Sequence, residues 1–365
     1  MKNQSLSLNG KRAGRNGSDH YVLITGGAGF IGANLADRLL SQGEKVLLYD
    51  NLSRAGVEEN YRWLREKHGA SVGLEKCDVR DSAALNLAVR QAGSVFHFAA
   101  QVAVTTSLVD PRLDFEVNAL GTLNLLDALR RHPNPPPLVY TSTNKVYGSL
   151  PELTFREREG RYEPAQAGLL RTGIDETQCL DFYSPYGCSK GTADQYVLDH
   201  ARMFGLPALV FRMSCIYGAH QFGTEDQGWV AHFLIQAMEG RPITIYGDGK
   251  QVRDILYVSD LVEALLLARR HAPTVAGQAF NIGGGPQNTT SLLELLSLIE
   301  ELEDHAPGVE WGDWRPGDQR YYVSGFAKFQ RATGWSPKVS VAEGVRRLHR
   351  WLQGTRVSEK LETAA

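Results

Sequence analysis

The sequence predicts an α/β chain, a doubly wound parallel sheet with a smaller α/β lobe beside it. Three observations predict it. Short apolar runs of strand length alternate with segments of helical period from Tyr21 to about Leu352. The first run, at 21–24, passes straight into glycines at Gly26, Gly27, Gly29 and Gly32. After them Ile31, Leu35, Leu39 and Leu40 share one helical face, with Asp37 and Arg38 opposite. A chain of 365 residues is also long enough to bury a large core and divide into two lobes.

The strand, glycine turn and helix form one half of a Rossmann-type βαβ unit. Glycine lets the chain turn tightly, lets the backbone approach a pyrophosphate and lets the helix pack on the strand. The pyrophosphate would rest on unpaired N–H groups at the helix N-terminus. Gly26, Gly29, Phe30, Ile31 and Gly32 are therefore candidate cofactor residues. A second strand over 45–49 ends in Asp50, 18 residues after Gly32. An acidic residue there accepts from both adenosine ribose hydroxyls and repels a 2′-phosphate, so the cofactor expected is NAD and not NADP. Arg54 is the reservation, since an arginine nearby could hold a 2′-phosphate. The plain alternative for Asp50 is a loop aspartate at a strand end.

Composition excludes several classes. The 39 basic and 41 acidic residues give a net charge of −2, so no basic field invites nucleic acid. No apolar stretch approaches the roughly 20 residues that span a membrane. Residues 1–20 are polar and lack the apolar segment of a signal peptide, which marks them as a disordered leader, with a similar tail at 355–365. Cys77, Cys179, Cys188 and Cys215 show no C-x-x-C spacing and read as reduced thiols of a cytoplasmic protein. The ten histidines form no H-x-x-x-H, so no metal site is expected.

In chain order, a helix is expected over 57–68 and a strand over 72–77 that delivers Asp78 and Val79. Asp78 could equally cap the following helix, 81–91. A strand over 94–99 ends in Ala99-Ala100-Gln101, small residues against which a cofactor can lie. A long helix over 111–132 carries Asn118, either buried with partners or on a polar face. A proline-rich connector leads to the strand 138–141, and 155–177 reads as a charged loop and possible lid. A helix starts at Tyr186 and runs to about Phe204. A strand over 207–213 leads toward the second lobe, and a helix covers 227–239. The runs 243–246 and 252–258, around Gly247-Asp248-Gly249, read as a hairpin. Ser259 should cap a helix to about His271. A strand at 279–282 precedes helices at 291–302, 325–333 and 341–352. The lobes are then 21–215 plus 254–282 for cofactor, and 216–253 plus 283–354 for substrate.

Two stretches carry the chemistry. The strand at 138–141 delivers Ser142-Thr143-Asn144-Lys145-Val146-Tyr147-Gly148. Tyr186-Gly187-Cys188-Ser189-Lys190 places Tyr186 and Lys190 four apart, on one helix face. Such a pair is often plain surface helix, but a preceding Ser/Thr and an upstream dinucleotide turn favour chemistry. Oxidising a secondary alcohol requires a base for its proton. A free phenol, with a pKa of about 10, is too weakly acidic for that role near neutral pH. The ammonium of Lys190 and a positive nicotinamide would both favour phenolate. A shift of about three pH units needs roughly 4 kcal/mol. Thr143 would hold the substrate oxygen. Arg253 and Arg315 suit bidentate binding of a diphosphate, with a surface salt bridge as the alternative for each.

Together the Thr-Gly-Gly-x-Gly-Phe-Ile-Gly turn and Tyr-x-x-x-Lys pair resemble the extended short-chain dehydrogenase/reductase superfamily, over nearly the whole chain. The resemblance implies adenine contacts from Asp78, cofactor contacts from Asn51, Ser53, Arg54, Val79, Phe98, Ala99, Ala100 and Ser142, and support of the lysine by Asn118. It also implies a nucleotide-diphosphate sugar as substrate. Arg253 and Arg315 would grip its diphosphate. Gln101, Asn144, Lys145, Gln221, Ser214 and Gln319 would join Thr143 around the sugar side. A homodimer or homotetramer built through the helices 111–132 and 186–204 is a further implication. Dehydratases of the superfamily place Asp-Glu directly after the threonine, where this chain has Asn144 and Lys145, so elimination of water is not expected. Stretches such as 101–107, 142–148, 181–191 and 249–254 are similar to the branch that inverts C2 of CDP-linked hexoses through a 2-keto sugar and bound NAD. Tyr183 and Met213 depart from that pattern, where histidine is usual. A UDP-sugar 4-epimerase is the nearest alternative, and a non-catalytic NAD sensor is the alternative of another class.

Overall fold

A computed structural model describes residues 20–315 and 317–363, with side chains through 355. The leader, up to residue 19, lies outside the described residues. Seven parallel strands form the main sheet, in spatial order Ala279–Ile282, Ala208–Met213, Leu138–Thr143, Ala92–His97, Tyr21–Thr25, Val46–Tyr49 and Val72–Glu75. The order reverses beside Tyr21–Thr25, which pairs with Val46–Tyr49 on one side and Ala92–His97 on the other. That reversal opens the crevice where an α/β sheet binds its ligand.

Strand periodicity sorts the core into two layers. Val22, Ile24, Leu48, Phe96, Val139 and Phe211 face one way, packing with Leu35 and Leu39 of helix Phe30–Ser41 and Leu261 and Leu265 of helix Val258–Arg270. Leu23, Val95, Leu138, Tyr140 and Val210 face the other, against Leu85, Leu125, Leu129, Ala193 and Val197. Those residues belong to helices Ser82–Val89, Gly121–Arg130 and Ser184–Phe204. Both faces are covered, as a doubly wound sheet requires.

The expected helix over 57–68 and strand over 279–282 form with those bounds. Several other expectations change. The helix over 111–132 is Pro111–Phe115, a π turn at Glu116–Leu120 and Gly121–Arg130, and a further helix, Val104–Val109, precedes it. Asp81, not Asp78, caps Ser82–Val89, accepting from the N–H groups of Ala83 and Ala84. The segment read as a loop over 155–177 holds a hairpin, Phe155–Arg158 with Arg161–Pro164, and a helix, Ala167–Thr172. Arg161 anchors that hairpin on Glu294 and Thr289. The predicted hairpin over 243–258 does not form. Ile243–Tyr246 pairs in parallel with Val309–Gly312, while Val252–Tyr257 pairs with Thr289–Ser291, Tyr321–Tyr322 and Cys215–Tyr217. Ser259 lies inside its helix, whose N-cap position is Tyr257. The final helix runs from Val341 on to Thr363, past the expected tail boundary.

Candidate active site

The glycine turn is shaped by exclusion. A Cβ on Gly32 would lie 2.5 Å from Gly26 O and 2.7 Å from Gly27 Cα, and one on Gly26 would meet the backbone at Ala99 N at 2.7 Å. Gly26 also takes φ 66°, which only glycine adopts easily. Asp50 holds the turn from the next strand, accepting from Ala28 N–H at 3.0 Å and Leu52 N–H at 2.9 Å. Burial pushes its carboxyl up, against those two hydrogen bonds and Arg54.

Two adjoining cavities open at the crevice. One, of about 480 Å³, is lined by Asp50, Asn51, Ser53, Asp78, Val79 and Ala99 among others. There Asn51 donates to Asp78 at 2.9 Å, and Arg80 grips the Asp78 carboxylate, holding it down to about 2. The other cavity, of about 450 Å³, brings Gly26, Gly29, Phe30, Ile31 and Gly32 together with Ser142, Thr143, Tyr186 and Lys190. It also reaches Arg253 and Arg315. Gly26, Gly29, Arg54, Phe98 and Ala100 line both. Arg54 donates to Gln227 and sits beside Asp50.

Tyr186 and Lys190 stand on the first turns of Ser184–Phe204. Pro185 starts that helix, and Ser184 enters it at φ 75°, its hydroxyl accepting from Gly187 N–H. The Tyr186 N–H donates to the buried Ser107 hydroxyl at 3.2 Å. Lys190 Nζ donates to Thr141 O at 2.7 Å and lies over the Tyr140 ring at 4.4 Å. Burial drives Lys190 down to about 7, against the pull of Asp194 and Asp114. Tyr186 is pushed up to about 12 by burial, with Thr143 lowering it and Asp114 raising it. In this arrangement the Lys190 ammonium is directed at the Thr141 carbonyl.

Thr143 ends its strand and caps the turn Asn144–Tyr147, its hydroxyl accepting from Lys145 N–H at 3.2 Å. Asn144 donates to Gln319 Oε1 at 3.1 Å. Gln319 in turn donates to Gly148 O, and is itself buried behind Asn144, so it braces the turn and does not line the cavity. Gln101 also departs from expectation. Its amide bonds Ala103 O and Asp114, and it lines the other cavity. Asn118 is fully buried. Its side chain bonds Gln101, Asp114 and Ser189, so it reaches helix Ser184–Phe204 through Ser189, one residue before Lys190. Ser214 donates to Asp254 at 2.5 Å, and Gln221 keeps a buried Oε1 without a partner. Ser142 Oγ is buried and unpartnered as well, at the cavity wall.

Arg253 donates to Asp318 at 2.5 Å, and Arg315 sits 3.9 Å over the Tyr246 ring with Glu225 and Asp226 alongside. Both guanidinium groups line the cavity, as does Met213, while Tyr183 is half exposed. Sequence reasoning missed Asp114, Ser107 and Ser189, whose polar atoms turn inward for reasons no local pattern carries. Among the described residues, no group of three His, Cys, Asp or Glu side chains is placed to hold a metal ion. No described helix is long and apolar enough to cross a membrane.

Glycine turn, Tyr/Lys/Thr trio and crevice define an NAD-dependent enzyme of the extended short-chain dehydrogenase/reductase kind. Residues 22–283 match the model of the NAD dependent epimerase/dehydratase family, and the chain belongs to that family. It is 44% identical over 340 residues to CDP-paratose 2-epimerase of Salmonella typhi, covering 90% of this chain and 98% of the relative. Among solved structures, UDP-glucose 4-epimerase of Thermus thermophilus in complex with NAD superposes with a TM-score of 0.76. It is 34% identical and covers 92% of this chain and 99% of its own. A dTDP-glucose 4,6-dehydratase of Streptomyces venezuelae with NAD bound gives 0.79 at 26% identity, covering 92% and 98%.

Proposed function

We propose that the chain is a nucleotide-sugar epimerase that inverts C2 of a CDP-linked hexose, the reaction its 44%-identical relative is named for. One observation carries the reading. A single cavity joins the oxidation trio to two arginines, and the residues after Thr143 are Asn144 and Lys145, not the carboxylic acid and base that dehydration needs. Gly26, Gly29 and Gly32 would cradle the NAD pyrophosphate and Asp50 its ribose. NAD held there would supply the hydride acceptor and donor for C2 and a positively charged ring beside the phenol.

Tyr186 takes the C2 hydroxyl proton as phenolate, and Thr143 orients that oxygen. Lys190, fixed on Thr141 O, keeps its ammonium one helical turn from Tyr186. Arg253 and Arg315 keep the diphosphate in place while the flat 2-keto sugar turns. Tyr186 then gives the proton back to the new alcohol.

A UDP-sugar 4-epimerase is the second reading, favoured by the 34%-identical neighbour. It would use the same trio on another carbon. A passive NAD sensor would have no use for Thr143, Tyr186 and Lys190 together. We further infer a cytoplasmic homodimer or homotetramer with no nucleic-acid or membrane partner; the net charge of −2 argues against nucleic acid, the unpaired cysteines suit a reducing compartment, and Val109, Phe115, Tyr196, Met203 and Phe204 are exposed apolar side chains that suit an interface.

Proton NMR with CDP-paratose in heavy water, without added cofactor, tests the reading. Inversion at C2 without deuterium there is the expected result. Deuterium at the inverted carbon would overturn the redox route, and inversion at C4 of a UDP-hexose would overturn the choice of carbon. Tyr186→Phe should lower turnover by about a hundredfold or more while NAD is retained.

A further inference from the structure

Lys145 follows the catalytic threonine by two residues, and its own backbone fixes it there. Its N–H donates to the Thr143 hydroxyl at 3.2 Å, so its position is tied to the site of oxidation. Its side chain is only 24% exposed and lines the cavity shared by Thr143, Tyr186, Arg253 and Arg315. The ammonium lies 3.3 Å from Gly317 O and 3.8 Å from the Asp318 carboxylate. Arg253 already holds that same carboxylate at 2.5 Å. Two cations therefore share one anion at the cavity wall. Burial pushes Lys145 down; Asp318 opposes that shift and Arg253 adds to it. An anion entering the cavity would complete the balance.

Covalent geometry says which anion. In a nucleotide-linked hexose, C2 is bonded directly to the anomeric carbon, which carries the phosphate oxygen. C4 lies across the ring from it. A site that presents C2 to Tyr186 must therefore draw the sugar-proximal phosphate deeper, toward Thr143, than one that presents C4. Arg253 approaches from the strand Val252–Tyr257 of the second lobe, whereas Lys145 is built onto the turn that ends in the oxidation site.

We propose that Lys145 binds the sugar-proximal phosphate and so sets the depth at which C2, not C4, meets Tyr186. This role rests on the C2-epimerase reading above, but its binding test does not depend on turnover. The substrate's anion takes the place of Asp318 as partner to Lys145, and Arg253 shares it. Thr143 and Lys145 then fix the two ends of the C2–C1–O–P unit.

The test is calorimetry of the NAD-loaded protein at fixed ionic strength, comparing CDP with CMP, which lacks the second phosphate. Lys145→Met should weaken CDP about 10- to 100-fold, as expected for one charge-assisted hydrogen bond, and leave CMP within about twofold. Lys145→Arg should recover most of the CDP affinity. Asp318→Asn, which removes the competing carboxylate, should tighten CDP relative to CMP, and it serves as the second variant should Lys145→Met fold poorly. Equal weakening of CDP and CMP, or no change in either, would overturn the proposal and leave Lys145 as a structural partner of Asp318. If the wild type prefers uridine nucleotides or inverts C4, the function proposed above fails. The UDP-to-UMP ratio then reads the same phosphate contact by itself.

Discussion

At the scale of single residues, the site depends on a carboxylate that touches no reacting atom. Asp114 is fully buried and bonds three neutral groups, on Ser189, Asn118 and Gln101. Asp194, the other carboxylate acting on Lys190, is already gripped by Arg212 at 2.9 Å on each oxygen. Asp114 adds to Asp194 in keeping the buried ammonium charged, although burial pushes its own carboxyl up. It also opposes the Tyr186 phenolate, so its net effect can be read only from a pH profile. Asp114→Asn should move the alkaline limb of turnover about one pH unit lower, because Lys190 then loses its proton earlier. A uniform loss at every pH would assign Asp114 to packing alone. His97 gives a stability prediction. It is buried between Thr25 and Thr122, and burial holds it down to about 3. The unfolded chain takes up this proton near 6.5 and the folded chain does not, so stability is lost as pH falls from about 6.5 toward 3. The slope is at most about 1.4 kcal/mol per pH unit. Thermal melts of His97→Asn between pH 7 and 4 should show a shallower acid slope than the wild type, even if its melting temperature at pH 7 is lower.

At the scale of elements, the glycine turn has no room for even a single methyl group. The Cβ of Gly32→Ala would press on Gly26 O and the Gly27 backbone, so helix Phe30–Ser41 must move off its strand. The variant should lose NAD on gel filtration and lose about 1–3 kcal/mol in urea melts; retention of NAD at wild-type stability would show that the turn is not packed this tightly. The same turn shows what sequence makes legible. Strand, glycines and helix are neighbours along the chain, and so are Tyr186 and Lys190, so period and spacing reveal them. Pairing between distant segments is not revealed that way. Gly247-Asp248-Gly249 looks like a hairpin turn, yet the strands it joins enter different sheets, pairing with Val309–Gly312 and Thr289–Ser291 from far along the chain. Gln101 reads as a ligand contact because it ends a strand at the crevice. Which way its amide turns is decided by Asp114, 13 residues on, and Ala103. The π turn at Glu116–Leu120 was equally hidden, since it keeps the apolar pattern of a helix while re-aiming Asn118 inward.

At the scale of the molecule, helix Ser184–Phe204 faces two environments. Its inner side carries Tyr186 and Lys190, while Tyr196, Met203 and Phe204 are exposed. Beside it, Val109 and Phe115 are exposed as well, on helices that pack against Ser184–Phe204. Exposed apolar side chains on adjacent helices suit an isologous contact, in which the same surface meets itself. Assembly by this face would brace the outside of the helix whose inside holds Tyr186 and Lys190. Wild-type protein should then run in light scattering at twice the 40.3 kDa chain mass or a multiple of that. Its melting temperature should rise with concentration. Phe115→Glu with Tyr196→Glu places like charges across the symmetric contact and should give the 40.3 kDa species with a lower melting temperature. Since neither side chain lines the cavity, NAD binding by the dissociated chain should persist while turnover falls, the helix having lost its outer support. A wild type that scatters as a single chain at every concentration would refute the pairing and return these residues to ordinary surface.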